Sequence, residues 1–299
     1  MILNKLLILM PVIAGVLWGS VGIFVRVLTN AGFDNVLVLS VRMMFATVIL
    51  AIGIAIYDRK LFRIKTKDIW IFVAAGILGM MGLNFCYNVA INELTLSFAA
   101  VLLSLAPIFV MFFARILFHE KITTKKLVCT FFAVLGCFLV SGLLESSGMS
   151  WSVIGIIIGL MAAVFYALYS VFSKVAMERD YHVFTITFYS ILIASVVLLP
   201  FTDWQCLKNF VSEAPFGNLI FLIVHSLCTS VLPYVLFTLS LNYVEAGKAS
   251  ILTAGGEPSA AMLFGLIFFA EMPTILSFAG LVITIAALSF LCAADNNDQ

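Results

Sequence analysis

Residues 105–120 read LAPIFVMFFARILFHE, and residues 256–271 read GEPSAAMLFGLIFFAE. A single offset of 151 places Pro107 on Pro258 and Glu120 on Glu271. The same offset aligns further identical residues, namely Phe113, Ile116, Phe118 and Thr123 with Phe264, Ile267, Phe269 and Thr274. Apolar letters recur by chance in an apolar chain, so the Pro/Glu pair at equal spacing is the stronger signal. The two stretches indicate an internal duplication.

A second correspondence lies near the start of each half. An offset of 148 places Arg26 on Lys174, and it aligns aromatic and apolar neighbours, namely Trp18, Phe24 and Val27 with Tyr166, Phe172 and Val175. The order of the matches is the same in both halves. The sequence therefore predicts two units, residues 1–146 and residues 147–299.

The composition places this chain in lipid. Of its 299 residues 64% are hydrophobic and 10% are charged, with a mean hydropathy of +1.19, whereas soluble domains are about 45–50% apolar and about 25% charged. The long apolar runs are 6–28, 35–57, 69–91, 96–118, 126–144, 152–176, 183–201, 216–243, 248–270 and 274–294. Most are close to the ~20 residues that a spanning helix needs. The predicted fold is an all-α integral membrane protein with ten transmembrane helices.

Ten spans and two units give five helices to each unit. Because five is odd, the second unit must cross the membrane in the opposite sense to the first. Inverted repeats of this kind are the architecture of many secondary transporters, whose solute sites lie between the repeats. The fold class is therefore predicted to be two inverted five-helix repeats.

Basic residues in the loops predict the orientation, because cytoplasmic loops are enriched in Lys and Arg. If the N-terminus is cytoplasmic, most loop cations fall on that side: Lys5, Arg59, Lys60, Arg63, Lys65, Lys67, Lys121, Lys125, Lys126 and Arg179. The other side keeps Lys208 and, at a helix end, Arg26. Both termini are predicted to be cytoplasmic.

Several classes of function are disfavoured by what the sequence lacks. It has neither a Gly-rich phosphate loop nor a basic stripe with interleaved aromatics, which argues against nucleic acid as a partner. His119-Glu120 is followed by Lys121 and not by a second His at the spacing of a zinc protease. We expect no cofactor, no metal site and no catalytic residue, and we predict that the chain is not an enzyme.

The chain resembles the EamA-like family of the drug/metabolite transporter superfamily. The residues that carry the resemblance are Pro107 to Glu120, Glu257 to Glu271, and Trp18-Gly19. The resemblance covers almost the whole chain and implies a bacterial cytoplasmic membrane protein that moves small metabolites such as amino acids, often outward. Ala106 stands where the second copy has Glu257, so any role of that carboxyl group is asymmetric.

Polar and aromatic side chains form stripes inside the predicted spans. Asn84, Tyr87 and Asn88 share one helix face, because residues at i, i+3 and i+4 lie together. The candidate substrate-binding residues are Trp18, Asn84, Tyr87, Asn88, Tyr166, Tyr169, Ser170, Tyr234 and Thr238. The functional interpretation is a central cavity between the repeats. The alternative is helix–helix packing, in which small and polar residues are common.

Glu257 and Arg42 are candidate coupling or gating residues, because intramembrane charges are costly and usually functional. Glu257 could exchange a proton or hold a substrate ammonium group. Arg42 could attract a carboxylate, pair with Glu257, or extend to the membrane interface. Glycine and proline residues predict helix breaks at Pro107, Gly255, Gly256 and Pro258. His225 could relay protons, but a buried, hydrogen-bonded neutral histidine is the favoured interpretation.

Three functions remain at this point. The first is a secondary transporter that works by alternating access, with a small solute and the lipid bilayer as partners. The others are a membrane-embedded enzyme and a non-transporting membrane partner, and the lack of a nucleophile constellation or a soluble domain disfavours both. The substrate, the oligomeric state, and the choice between proton coupling and facilitated flow stay open.

Overall fold

The computed structural model describes residues 2–94, 96–141, 144, 152–270 and 272–293, and the ordered elements in these ranges are helices. We number the ten main apolar helical segments as spans 1 to 10. In the first half, span 1 is Ile2–Gly19 with Val21–Asn30, span 2 is Asn35–Tyr57, span 3 is Ile69–Val73 with Ala74–Gly82 and Leu83–Glu93, span 4 is Leu96–Leu103 with Ala106–Leu117, and span 5 is Thr124–Val140. In the second half, span 6 is Val153–Met177, span 7 is Val183–Leu198, span 8 is Pro215–Ser226 with Leu227–Val231 and Leu232–Ser240, span 9 is Ala246–Phe269, and span 10 is Ile275–Ala293.

The ten segments follow the ten apolar runs of the sequence. Eight of the described helices are long and apolar enough to cross a membrane, and the apolar helix Ile275–Leu291 is shorter. Span 5 has 17 residues, which at about 1.5 Å per residue comes close to the ~30 Å of a hydrocarbon core. The structure thus has the predicted all-helical, multi-span architecture.

One predicted loop is a helix. Residues Trp204–Glu213 lie in the polar stretch between spans 7 and 8, and they form an amphipathic helix. The Asp203 carboxylate starts this helix by accepting from the amides of Gln205 and Cys206, at 3.0 and 2.9 Å. Phe210 on its apolar face packs against Phe33, with ring centroids 5.1 Å apart. Because the other face is polar, the mean hydropathy of this stretch is low and did not indicate a helix.

Helix packing repeats between the two halves. Span 1 packs on spans 8 and 9, and span 6 packs on spans 3 and 4. Span 2 packs on span 7, and span 5 packs on span 10. Exchanging each span of the first half for its counterpart in the second leaves this pattern unchanged, as expected for two copies of one five-helix unit.

Two loop contacts define the ends of the bundle. We call the end with loops 58–68, 118–123 and 178–182 the basic end, where Arg179 pairs with Asp68 and the Tyr181 hydroxyl donates to Asp68 at 2.8 Å. Burial raises the pKa of Tyr181, which keeps the phenol a donor. The opposite end, which holds Phe33 and the helix Trp204–Glu213, is called the far end.

The predicted helix break in span 9 is wrong. Ala246–Phe269 is one helix with Pro258 inside it. A proline removes the hydrogen bond to the carbonyl four residues earlier, here that of Ala254, and the Cys137 thiol approaches this oxygen at 3.6 Å. Gly255 packs directly against Leu288, and Gly256 lies against Val12 of span 1. These residues serve close helix packing, so the helix continues through them.

In span 4 the chain does break near the predicted position. The helix stops after Leu103 and resumes at Ala106, and Pro107 lies in the first turn of the second segment. A proline is well tolerated there, because the first amides of a helix have no partner inside it. The equivalent prolines Pro107 and Pro258 thus have different local roles.

Candidate functional site

An aromatic cluster occupies the middle of the bundle, where spans 1, 6 and 8 meet. The ring centroid of Trp18 lies 5.0 Å from that of Tyr234, 5.9 Å from that of Phe237 and 6.2 Å from that of Tyr166. Tyr169 continues the cluster, 5.1 Å from Tyr234, and its hydroxyl group lies 2.9 Å from that of Thr238. These five rings join residues from both repeats.

The structure divides the candidate substrate-binding residues into two groups. Four are partly exposed: Trp18, Asn84, Tyr87 and Asn88. Five are buried, with exposures between 0% and 8%: Tyr166, Tyr169, Ser170, Tyr234 and Thr238. The nine residues therefore do not line one open cavity. The five buried residues form a closed layer next to Trp18, which we call the buried floor.

Equivalent positions of the two repeats differ in burial. Gly22 of span 1 is exposed, whereas Ser170, its equivalent in span 6, is fully buried. Arg26 is exposed, whereas the side chain of its equivalent Lys174 is 17% exposed. From Trp18, span 1 runs towards the far end and span 6 runs from Tyr166 towards the basic end.

The other spans show the same difference. Asn84 and Asn88 of span 3 are partly exposed, but the Phe237 and Thr238 face of span 8 is fully buried. In span 9 Ala261 is exposed, and its equivalent Val110 in span 4 is 0% exposed. Around the central site, these residues are therefore exposed towards the far end, and their counterparts towards the basic end are buried.

Glu120 closes the basic end. Its carboxylate pairs with Lys174 of span 6 and accepts from the amides of Ala246 and Gly247, at 2.9 and 3.3 Å. Those amides are the first of span 9, where the helix dipole favours an anion. Lys174 also lies 4.7 Å from the centroid of the Phe118 ring. Glu120 thus joins spans 4, 6 and 9.

The sequence places Glu120 at the end of span 4, where it was expected to pin the helix end or to act as a gate. The Pro/Glu repeat identified the residue, but its partners are 54 and 126 positions away. A second ion pair at the same end joins Lys126 to Glu245. At the far end, Arg26 lies 4.4 Å from the Phe269 ring centroid, and the counterpart Glu271 is outside the described residues.

Glu257 lies at the crossing of spans 1 and 9. Its side chain is partly buried, and no described residue hydrogen-bonds its carboxyl group. It lies within electrostatic range of Tyr87, Tyr166 and Tyr234. A partly buried carboxyl group with no hydrogen-bond partner among the described residues is available to a ligand or a proton.

Arg42 lies behind the wall of the same site. It is 8% exposed, and one of its guanidinium nitrogens donates to Asn84 Oδ1 at 3.0 Å. Among the described residues it forms no ion pair with Glu257 or with any other carboxylate. It does not extend to the interface, because Asn84 holds it inside the bundle.

Spans 3 and 8 share an unusual backbone. Ala74–Gly82 and Leu227–Val231 are π-helical, and they lie at corresponding places in the two repeats. Wide helical turns of this kind are rare and frequently mark functional sites. Both segments directly precede the polar faces that carry Asn84 and Tyr234.

A separate groove of about 220 Å³ lies outside the central site. It is lined by Ile49, Leu50, Gly53, Ile54, Tyr57, Phe184 and Val231. None of the candidate substrate-binding residues contributes to it. Its walls are almost wholly apolar, so we place the candidate site at the Trp18 cluster.

Comparisons with known proteins agree with this architecture. The sequence profile of the EamA-like transporter family matches residues 5–142 and 153–293. The chain belongs to the EamA-like transporter family. An EamA-like protein is a transporter and not an enzyme, so the prediction against enzyme activity and the family resemblance are confirmed.

Relatives of this EamA-like protein are themselves named as transporters. An "Uncharacterized transporter" of Archaeoglobus fulgidus is 29% identical over 273 residues, which cover 90% of either chain. "Uncharacterized transporter YxxF" of Bacillus subtilis is 24% identical over 280 residues, covering 93% of this chain and 86% of the relative. A solved crystal structure superposes with a TM-score of 0.76 at 12% identity, over 98% and 99% of the two chains, which shows the shared fold.

Proposed function

We propose that this protein is a secondary transporter that exports small metabolites such as amino acids by alternating access around the Trp18 cluster. The observation that supports the proposal is the unequal burial of equivalent faces in the two repeats. A duplicated structure that is open at one end and closed at the other has an obvious second state, in which the two repeats exchange conformations.

The buried floor supports this second state. Six buried hydroxyl groups of spans 6, 7 and 9 have no hydrogen-bond partner among the described atoms: those of Tyr166, Ser170, Ser173, Thr187, Ser190 and Ser250. Buried polar atoms are nearly always satisfied in stable structures. Opening the basic end would bring water or solute to these groups, so their unmet capacity suits a pathway that is closed for part of the cycle.

The chemistry of the site suits a small amphipathic zwitterion. The aromatic faces around Trp18 and the Glu257 carboxylate attract an ammonium group, and Asn84 and Asn88 offer amide donors and acceptors. Exposed backbone and hydroxyl groups would fix the solute while the rings contact its apolar part. We therefore propose an amino acid as the substrate class.

We propose that the basic end is cytoplasmic, as its loop cations predict, with both termini on that side and the units 1–146 and 147–299 as the two repeats. The open far end would then release solute outside the cell. An ion gradient would drive the cycle, and proton exchange at Glu257 is the form of coupling we propose.

Counterflow in proteoliposomes tests the function. Vesicles loaded with a mixture of unlabelled amino acids should accumulate labelled external amino acids transiently, and a pH gradient should change the rate. Protein-free vesicles are the control for leakage. Absence of counterflow above this control for every amino acid, with the protein shown to be folded and inserted, would refute the proposed substrate class.

A further inference from the structure

We infer that Arg42 and His225 form an anion site beside Asn84, which holds the carboxylate of the solute or a free halide. The inference rests on the proposed function only for the identity of the solute, and it stands on two buried nitrogen atoms without partners. Arg42 Nε and His225 Nε2 both lack a hydrogen-bond partner among the described residues.

The two side chains lie on neighbouring spans and within reach of each other's charge. Span 2 carries Arg42 and packs against the part of span 8 that carries His225. His225 is 0% exposed and lies within electrostatic range of Arg42. Both are therefore enclosed in the same low-polarity region of the bundle.

The positive charge of the Arg42 guanidinium lacks a negative partner among the described residues. No described carboxylate pairs with the Arg42 guanidinium, and the ionisable groups in its electrostatic range are Tyr234 and His225. A lone cation in the membrane interior is strongly disfavoured, and such residues normally pair with a counter-charge.

The histidine ring can donate to an anion. The Thr229 hydroxyl already donates to the His225 carbonyl at 2.7 Å and lies 3.5 Å from Nδ1, a separation at which a hydrogen bond is weak. Nδ1 is thus not committed to carrying the proton, and the ring can carry it on Nε2. In the described part of the chain, the side-chain hydroxyl groups of Ser226 and Ser230 on the same span also lack hydrogen-bond partners.

Asn84 connects Arg42 with the partly exposed face of span 3. Its Oδ1 atom accepts from Arg42, its Nδ2 atom donates to the Met80 carbonyl at 2.7 Å, and the residue itself is partly exposed. An anion that enters from the far end would meet the guanidinium at Asn84. Glu257, like Arg42, lies within electrostatic range of Tyr234, so the two ends of a zwitterion would have separate, oppositely charged partners.

Thermal unfolding of the purified protein in lipid nanodiscs tests the inference without any transport measurement. Propionate and its uncharged amide, propionamide, are the solute probes, and sodium chloride is titrated separately in chloride-free buffer. We expect propionate to stabilise the wild-type protein and propionamide to have no effect. An Arg42→Gln variant should bind propionate at least about tenfold more weakly.

Variants separate binding from folding. Arg42→Gln keeps a hydrogen-bond donor for Asn84, and Arg42→Lys keeps the charge and should retain part of the affinity. His225→Leu should weaken propionate binding severalfold, whereas Arg115→Gln, at an exposed arginine of span 4, should leave it unchanged.

The outcomes are distinct. Stabilisation by propionate that needs Arg42 supports a carboxylate site, and stabilisation by chloride alone that needs Arg42 supports a halide site. Equal effects of propionate and propionamide, no effect of either anion, or anion effects that persist in Arg42→Gln would overturn the inference. If counterflow fails while anion binding holds, the transport proposal falls and the anion site remains.

Discussion

Two equivalent helix faces differ in their surroundings. The face of span 1 with Trp18, Gly22 and Arg26 opens towards the far end, whereas the face of span 6 with Tyr166, Ser170 and Lys174 is closed. The repeats have one plan, so the difference lies in how the helices pack and not in which elements are present. In the proposed transport cycle these two faces would be the two gates, and the face of span 6 would be the closed one in this structure.

The closed face is held by a specific contact. Glu120 neutralises Lys174 and caps the first turn of span 9 at the same time. One carboxylate therefore joins the ends of three spans. In the proposed cycle it would have to release both partners before the basic end opens. The following predictions test this comparison, in order of decreasing effect.

Cysteine labelling at equivalent positions should give the largest contrast. We expect Gly22→Cys to react with a membrane-impermeant maleimide at least about 100-fold faster than Ser170→Cys, because a buried site reacts only after an opening that costs a few kcal/mol. The glycine site has room for the new side chain. The parent protein gives the background from its native cysteines.

Sidedness of the same reaction tests the orientation. In sealed vesicles, Gly22→Cys should react with reagent added from the side opposite the termini. Equal rates at the two positions would remove the basis for alternating access, and reaction of Gly22→Cys from the side of the termini would reverse the proposed orientation.

Lys174→Met should open the basic end. The variant leaves Glu120 with a buried, unpaired charge, and breaking such a pair costs about 3–5 kcal/mol. The state with a closed basic end should become less populated, so labelling of Ser170→Cys in this background should rise by more than tenfold. Lys174→Arg, which keeps the charge, and Lys121→Met, at an exposed site, should leave labelling low.

Glu257→Gln should reduce transport and remove its pH dependence. The amide keeps the size of the side chain but cannot exchange a proton, and it attracts an ammonium group less strongly. We expect the apparent affinity for an amino acid to fall about tenfold, which corresponds to about 1.4 kcal/mol. Glu178→Gln, at an exposed carboxylate, is the matched control, and transport with unchanged pH dependence would exclude coupling through Glu257.

Two tyrosines of the closed face should differ slightly in stability. Tyr166→Phe removes a hydroxyl group that has no hydrogen-bond partner among the described residues, and it should leave the free energy of unfolding unchanged or slightly higher. Tyr169→Phe loses the 2.9 Å contact with Thr238 and should lower it by about 1 kcal/mol. Denaturation in mild detergent measures both, and the reverse order would show that the hydroxyl partners are assigned wrongly.

The sequence predicted the architecture because each part of that prediction depends on local composition. The apolar runs gave the spans, and the spacing from Pro107 to Glu120 gave the repeat. The helix Trp204–Glu213 was missed, although Asp203 followed by apolar residues at 206, 207, 210 and 211 is a helix-start pattern with an apolar face. Hydropathy averaged over a window conceals such a short amphipathic element.

Burial within the site could not be predicted. Trp18 and Tyr166 are equivalent in sequence, and nothing local distinguishes the open face from the closed one. The contact of Glu120 with the start of span 9 joins residues 126 positions apart, so it depends on the packing of whole helices. Gly255 and Gly256 suggested a helix break because the sequence does not show which spans they pack against. In the structure these are span 10 for Gly255 and span 1 for Gly256.

Spans 1 and 9 approach so closely that a Cβ atom on Gly15 would lie 2.5 Å from the Thr253 carbonyl oxygen, and one on Gly19 would lie 2.5 Å from that of Glu257. Thr253 also donates to the Pro11 carbonyl at 3.0 Å. Two backbones in such close contact would move as one body in the proposed cycle, although one helix belongs to each repeat. The boundary between parts that would move relative to one another therefore differs from the boundary between the two repeats.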